Sequence, residues 1–253
     1  GTLPRKIERF SHFFHNYSLS TGLKYDINDV WKSNFNVGYV LRSPEVNELY
    51  SSGLHQGVSG IEEGNSDLKN EKSLKLVFSN DFRLKQKIFI EALAYFQSIT
   101  NYIYLEPQEE LRLTIRGAFP VFEYKQTNAQ LFGTDILLSY EPFERLKWIA
   151  KYAIVRGNDL KNEVSLINMP ADNVFSSLSY SLSSWRHFEN SELQINGRYV
   201  FRQDRISEEQ DFLAPPDAYF LLGLQANTSL HLPQSELKLS LNINNVLNTT
   251  YRD

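Results

Sequence analysis

Hydrophobic and polar positions alternate along most of the chain. Trp31, Ser33, Phe35, Val37, Tyr39 and Leu41 share one face of an extended segment, and Lys32, Asn34, Asn36, Gly38, Val40 and Arg42 share the other. A period of two held this long predicts a β-strand of about a dozen residues, longer than the roughly five or six usual in compact domains. The same alternation predicts a strand before it (Leu19, Thr21, Leu23, Tyr25) and strands after it at Leu74–Phe82, Ile88–Phe96, Val121–Tyr140 and Leu146–Ile154. Further strands are expected around Leu178–Leu182, Leu193–Phe201, Phe220–Ala226 and Leu237–Ile243. Alternation runs straight through Asn196-Gly197, so that pair is not read as a hairpin turn.

About ten strands result, and their two faces differ in kind. The apolar face carries no charge. Lys24, Lys32, Lys75, Asp81, Glu91, Asp135, Lys147, Lys151, Arg198 and Lys238 all fall on the other. Connections alternate between short turns (26–30, 83–87, 141–145, 184–190, 231–235) and long loops (43–70, 106–119, 156–173, 202–216). That register is expected of a transmembrane barrel with short turns at one rim and long loops at the other; a Greek-key sandwich does not produce it. Tyr25 with Trp31, and Tyr140 with Trp148, flank short turns as an interfacial aromatic girdle would. The expected fold is therefore all-β, an antiparallel transmembrane β-barrel fragment. Both outer strands end on the long-loop side, so at least one further strand is expected at each end.

Composition narrows the classes. Aromatic residues make up 13% of the 253 residues, which favours strands, and the absence of Cys removes disulfides and thiolate metal sites. A net charge of -4 gives a nucleic-acid partner no electrostatic support, so none is expected. No apolar run approaches the roughly 18 residues of a membrane helix. Mean hydropathy is negative, as it also is for barrels, in which half of each strand is polar.

Several motifs, in this order, carry a resemblance. Arg42-Ser43-Pro44, Glu48-Leu49-Tyr50, Gly53, His55, Gly64-Asn65, Leu68 and Glu71 form the first group. Asn101-Tyr102-Ile103 follows, then Tyr124, Gln126, Ala129, Gly133 and Asp135, and finally Asn244-Asn245-Val246 with Asn248 and Tyr251. Together they resemble the TonB-dependent outer-membrane receptors. The resemblance spans residues 1–253 as part of the C-terminal half of that family's barrel, without the plug domain. It implies a bacterial outer-membrane location, contact with outer-membrane lipid, TonB as a partner reached through the plug, and no cofactor. It also implies uptake of a scarce nutrient, most readily a metal ion or a metal chelate such as an iron siderophore or zinc.

Candidate site residues fall in two groups. In the first long loop, His55 among Glu48, Glu62 and Glu63 supplies hard-ligand chemistry for a divalent cation, with His55 the metal-ligand candidate. Arg42 and Asn65 complete the loop candidates for substrate binding. On the polar face Lys32, Asp135, Lys151 and Arg198 are expected to point into the lumen. The four long loops sum to -8 (-4, -1, -1 and -2), leaving +4 for the rest of the chain, a pattern suited to a cationic substrate at the rim. Two other classes compete: an outer-membrane barrel enzyme and a soluble all-β binding module. An enzyme would need paired catalytic groups, whereas His12, His15, His55, His187 and His231 are scattered, so no enzyme is expected. A soluble module would stay monomeric in plain buffer, where an open sheet with a bare apolar face is expected to aggregate.

Overall fold

A computed structural model describes residues 11–206 and 215–252, apart from the side chain of residue 110. The irregular opening stretch and the fourth long loop lie partly outside the described residues.

Strand β1 (Tyr17–Asp26) turns tightly into β2 (Trp31–Arg42). A short helix α1 (Val46–Tyr50) follows, then β3 (Ser52–His55) and β4 (Gly60–Glu63). Next come β5 (Glu71–Leu84), β6 (Ile88–Thr114), β7 (Gly117–Phe143), β8 (Leu146–Asp159) and the two-residue β9 (Val164–Ser165). β10 (Asn173–Ser181), β11 (Phe188–Val200), β12 (Tyr219–Leu232) and β13 (Ser235–Ile243) complete the chain. Ten strands form one antiparallel meander in the order β1-β2-β5-β6-β7-β8-β10-β11-β12-β13. Each is long enough for a tilted membrane crossing, which takes about 9–11 residues.

The registers keep the two faces separate throughout. Leu23 pairs with Phe35, Phe35 with Phe78, Phe78 with Ala94, and Ala94 with Thr134. Ile136 then pairs with Tyr152, Leu178 with both Trp148 and Ile195, Ile195 with Leu224, and Leu224 with Ile243. A slip of one residue at any ladder would have put charge on the apolar face. The apolar face is the exposed one: Leu19, Leu23, Phe78, Leu193, Leu237 and Leu241 all stand open. At 17772 Å² the accessible surface is about half as large again as the roughly 11,500 Å² expected of a compact 29.4 kDa monomer. A sandwich buries its apolar face; this sheet displays it. On that face Trp31 stacks on Phe82 at 5.4 Å beside the short turns, and Tyr17 on Tyr39 at 5.9 Å beside the long loops.

Three of the expected loops are more ordered than alternation suggested. The loop expected over 106–119 is instead a continuation of β6 and β7, whose ladder runs on to Thr114 and Gly117 at a two-residue tip. The extension reaches up to about 40 Å past β5 and β8. Bulges in β6 at Ile99/Tyr102 and Pro107/Leu111 interrupt its alternation, and Asn101, with φ of 58°, sits in the first of them. The loop expected over 43–70 holds α1, β3 and β4, and β4 runs parallel beside Val121–Glu123 of β7. The loop expected from Arg156 begins later, because β8 continues to Asp159.

Among the described residues the buried apolar side chains belong to this end: Leu49, Ile61, Leu68, Ile99, Ile103, Val121, Ala129, Leu166, Val200 and Tyr219. Leu49, Leu68 and Ile103 pack together with Phe14 and Tyr124, and Ile99, Ala129 and Leu166 pack with Tyr102, Leu131 and Met169. The membrane-length part of the sheet has no such cluster among the described residues.

Candidate functional site

The long-loop end is held by polar joints made from the motif residues. Arg42 Nη1 donates to both Glu48 oxygens at 3.1 and 3.0 Å, and Nη2 donates to Glu71 Oε2 at 3.3 Å. Glu48 also accepts the Glu45 backbone N–H at 2.7 Å, closing a capping box on α1, and Glu71 accepts the Ile103 N–H at 3.1 Å. One guanidinium thus ties the end of β2 to α1 and β5. Gln126 repeats the device: its Oε1 accepts the Lys69 N–H at 2.9 Å and its Nε2 donates to the Lys69 carbonyl at 2.7 Å. The side-chain amide stands in for a neighbouring strand. Gly64 has no room for a side chain, since a Cβ would lie 2.4 Å from Tyr50 N and 2.6 Å from Leu49 C.

The remaining loop candidates are also engaged. Asn65 donates its N–H to the Glu48 carbonyl at 2.8 Å, accepts the Asp67 N–H at 2.9 Å and reaches the Tyr124 carbonyl at 3.4 Å. Glu63 pairs with Arg112 of the extension. Glu62, buried at 6% exposure, lies 3.1 Å from Nδ1 of the exposed His55, so this pair supplies two donors. Among the described residues no group of three or more His, Asp or Glu side chains is spaced to hold a metal ion. Part of the acidic loop total counted from sequence is balanced from outside the loops, since Glu48 pairs with Arg42 and Glu106 with Lys125, while Glu63 with Arg112 and Asp172 with Arg156 pair inside the count.

Two carboxylates are held ionised by their surroundings. Burial works against the charge on Asp159, but hydrogen bonds from Thr127, from the backbone N–H groups of Asn162 and Lys161, and from the Asn162 side chain outweigh it, setting the pKa below the ordinary value. Glu106 behaves likewise: burial opposes ionisation, and Lys125, Tyr104 and Gln108 more than compensate. Tyr104 is pushed up in turn by burial and by Glu106.

On the polar face, cross-strand partners form one row: Asp26, Lys32, Asp81, Glu91, Leu137, Lys151, Phe175 and Arg198. Three of the four lumen candidates, Lys32, Lys151 and Arg198, lie on it, while Asp135 lies two residues along β7 from Leu137. The row is acidic toward β5 and β6 and basic toward β8 and β11. Lys151 Nζ stands over the Phe175 ring at 5.8 Å.

At its basic end the row meets a cavity of about 650 Å³. Leu105, Pro107 and Phe122 of the extension, the 166–173 segment, and the loop ends of β11 and β12 enclose it. Three arginines line it, Arg198, Arg205 and Arg252, against one carboxylate, Asp217. Arg205 Nη2 donates to Asn158 Oδ1 at 2.9 Å, and Tyr219 stacks on Tyr251 at 4.8 Å beside the cavity. Of the residues chosen from sequence only Arg198 lines this space; none of the six loop candidates does. Arg205, Arg252 and Tyr219 were not identified from sequence. Only the polar-face phase of Tyr219, opposite Val200, could have pointed to any of them.

A sheet that exposes its apolar face, charges the other and gathers its packed core at one rim is the wall of a membrane barrel. The chain belongs to the TonB-dependent receptor-like β-barrel family, which matches residues 2–246. Solved structures agree on the fold. The copper transporter OprC is similar at a TM-score of 0.74 and 19% identity, over 92% of this chain and 34% of its own. The FrpB iron transporter from Neisseria meningitidis (F3-3 variant) gives 0.62 and 17%, over 92% of this chain and 35% of its own. The siderophore receptor PirA from Acinetobacter baumannii gives 0.63 and 13%, over 91% of this chain and 36% of its own. The chain therefore spans about a third of the length of these proteins. No curated protein sequence matches it.

Proposed function

We propose that the chain forms part of the barrel wall and the outer vestibule of a bacterial outer-membrane receptor that takes up a metal as an anionic chelate. Energy would come from TonB, acting through a plug elsewhere in the receptor. The observation that carries the substrate class is the cavity. An apolar surround with three guanidinium groups against one carboxylate favours a ligand with an organic body and net negative charge. This differs from the cationic substrate suggested by summing the loop charges, because the cavity itself is lined by more cations than anions although the loops together are acidic. The resemblance to a copper transporter, an iron transporter and a siderophore receptor supports a metal-bearing cargo. None of these three is an enzyme.

The test uses the whole receptor and a panel of ferric chelates, anionic and neutral, read by binding titration and by uptake in cells with and without TonB. Arg198→Ala should weaken binding of the anionic chelates by about tenfold, as for loss of one charge-assisted hydrogen bond, and leave the neutral ones unchanged. Equal loss for both, or none, would refute the charge-based reading. A bare divalent cation is the second reading, carried by the His55–Glu62 pair. Loss of Cu²⁺ or Zn²⁺ binding in His55→Ala, with chelate binding intact, would favour it.

A further inference from the structure

A second cavity, of about 540 Å³, opens on the apolar face near the short turns. Its floor is the small Ala226 together with Thr228 of β12. Ala226 pairs with Leu193 on one side and Leu241 on the other, and Thr228 with Leu239, so large side chains stand over small ones. The end wall arises from a break in register. β11 is bulged between Glu189 and Glu192, and the preceding turn folds back so that Trp185 bridges to Phe188 with their rings stacked at 6.1 Å. Two hydroxyls of the lining, Ser191 and Thr228, bond each other at 2.6 Å. The result is a mainly apolar groove along a strand, within the size range of a site for one small molecule.

Two cations mark its mouth. Arg186 lies over the Trp185 ring at 4.8 Å, and Arg145 bonds the Ser183 hydroxyl, so each guanidinium is fixed to a residue that lines the groove. Neither is in an ion pair among the described residues. Glu192, on the polar phase of β11, is the acidic member of the lining. In a membrane barrel this level, beside a short turn and a tryptophan, is the headgroup interface of the periplasmic leaflet.

We propose that this groove is a binding site for one anionic phospholipid, with an acyl chain along Ala226 and Thr228 and its phosphate between Arg145 and Arg186. The proposal rests on the outer-membrane placement given above. Two observations select this occupant: the groove is continuous with the lipid-facing wall, and its cationic mouth complements a phosphate. An acyl chain gains little merely by leaving one apolar surround for another, so preference must come from shape and from the two arginines.

The whole receptor is placed in bilayers doped with phospholipid brominated on its acyl chains, carrying either an anionic glycerol or a zwitterionic choline headgroup. Bromine quenches nearby tryptophan, and the part due to Trp185 is the wild-type signal less that of Trp185→Phe. The Trp185 quenching should favour the anionic lipid by about fivefold at equal mole fraction. Arg145→Gln with Arg186→Gln should abolish the preference and keep the quenching; the paired Lys variants should retain the preference. Equal quenching by both lipids in wild type, or a preference untouched by the Gln variants, overturns the site. Absence of Trp185 quenching by either lipid overturns the site together with the membrane placement itself.

Discussion

The wall and the rim of this sheet are built on opposite plans. In the wall, strands such as β12 and β13 put their large apolar side chains outward, and among the described residues no buried cluster packs against them. At the rim, Leu49, Leu68 and Ile103 form one buried cluster and Ile99, Ala129 and Leu166 another, with Arg42, Gln126 and Asp159 fastening the backbone around them. The wall depends on its ladders and on surrounding lipid, whereas the rim is a small folded body in water. The two should respond differently to the same insult.

The largest effect is expected from charge on the outer face. Ile136→Lys, on the outward phase of β7, should destabilise the whole receptor in bilayers by roughly 2–4 kcal/mol, while Leu137→Lys, one residue on and beside Glu91 in the polar row, should cost little. Urea unfolding in vesicles measures both, and equal costs would contradict the assignment of faces. Next is Arg42→Ala. It leaves Glu48 and Glu71 unpaired at the base of the 43–70 segment, at a cost of about 1–3 kcal/mol confined to the rim. Protease sensitivity within 43–70 should rise while the unfolding midpoint of the wall stays put. Smallest is the effect of acid. Asp159 and Glu106 have folded pKa values below their unfolded ones, so their contribution is present above the ordinary carboxylate range, around pH 4, and is lost as pH falls through the folded values. Limited proteolysis at the rim should increase below about pH 4, and Asp159→Asn should remove part of that dependence. A wall that loosens in step with the rim would show the two are one cooperative unit.

The wall was legible in the sequence because its physics is local. Each residue reports its face through a period of two, and Leu23, Phe35, Phe78 and Ile136 fall on the side the alternation assigned them. The rim was not legible in the same way. Residues 106–119 alternate poorly because the bulge between Pro107 and Leu111 disturbs the phase, so a continuing hairpin read as a loop. The cavity arginines come from the end of β11, the connection after it and the far end of the chain, and only the folded sheet brings them together. Arg42 and Glu48 were legible as a motif, but their mutual bond, which occupies both, was not.

The parallel rungs between β4 and β7 have a mechanical consequence. A loop attached only at its two ends can swing like a door, whereas the 43–70 segment is also stitched at its middle, Ile61 to Glu63, onto a strand continuous with the wall. Displacing it means shearing those rungs and unseating Ile61, which is 4% exposed. The segment is therefore a collar pinned to the rim, and in the receptor proposed above cargo entering the vestibule would pass a fixed edge and not a swinging flap.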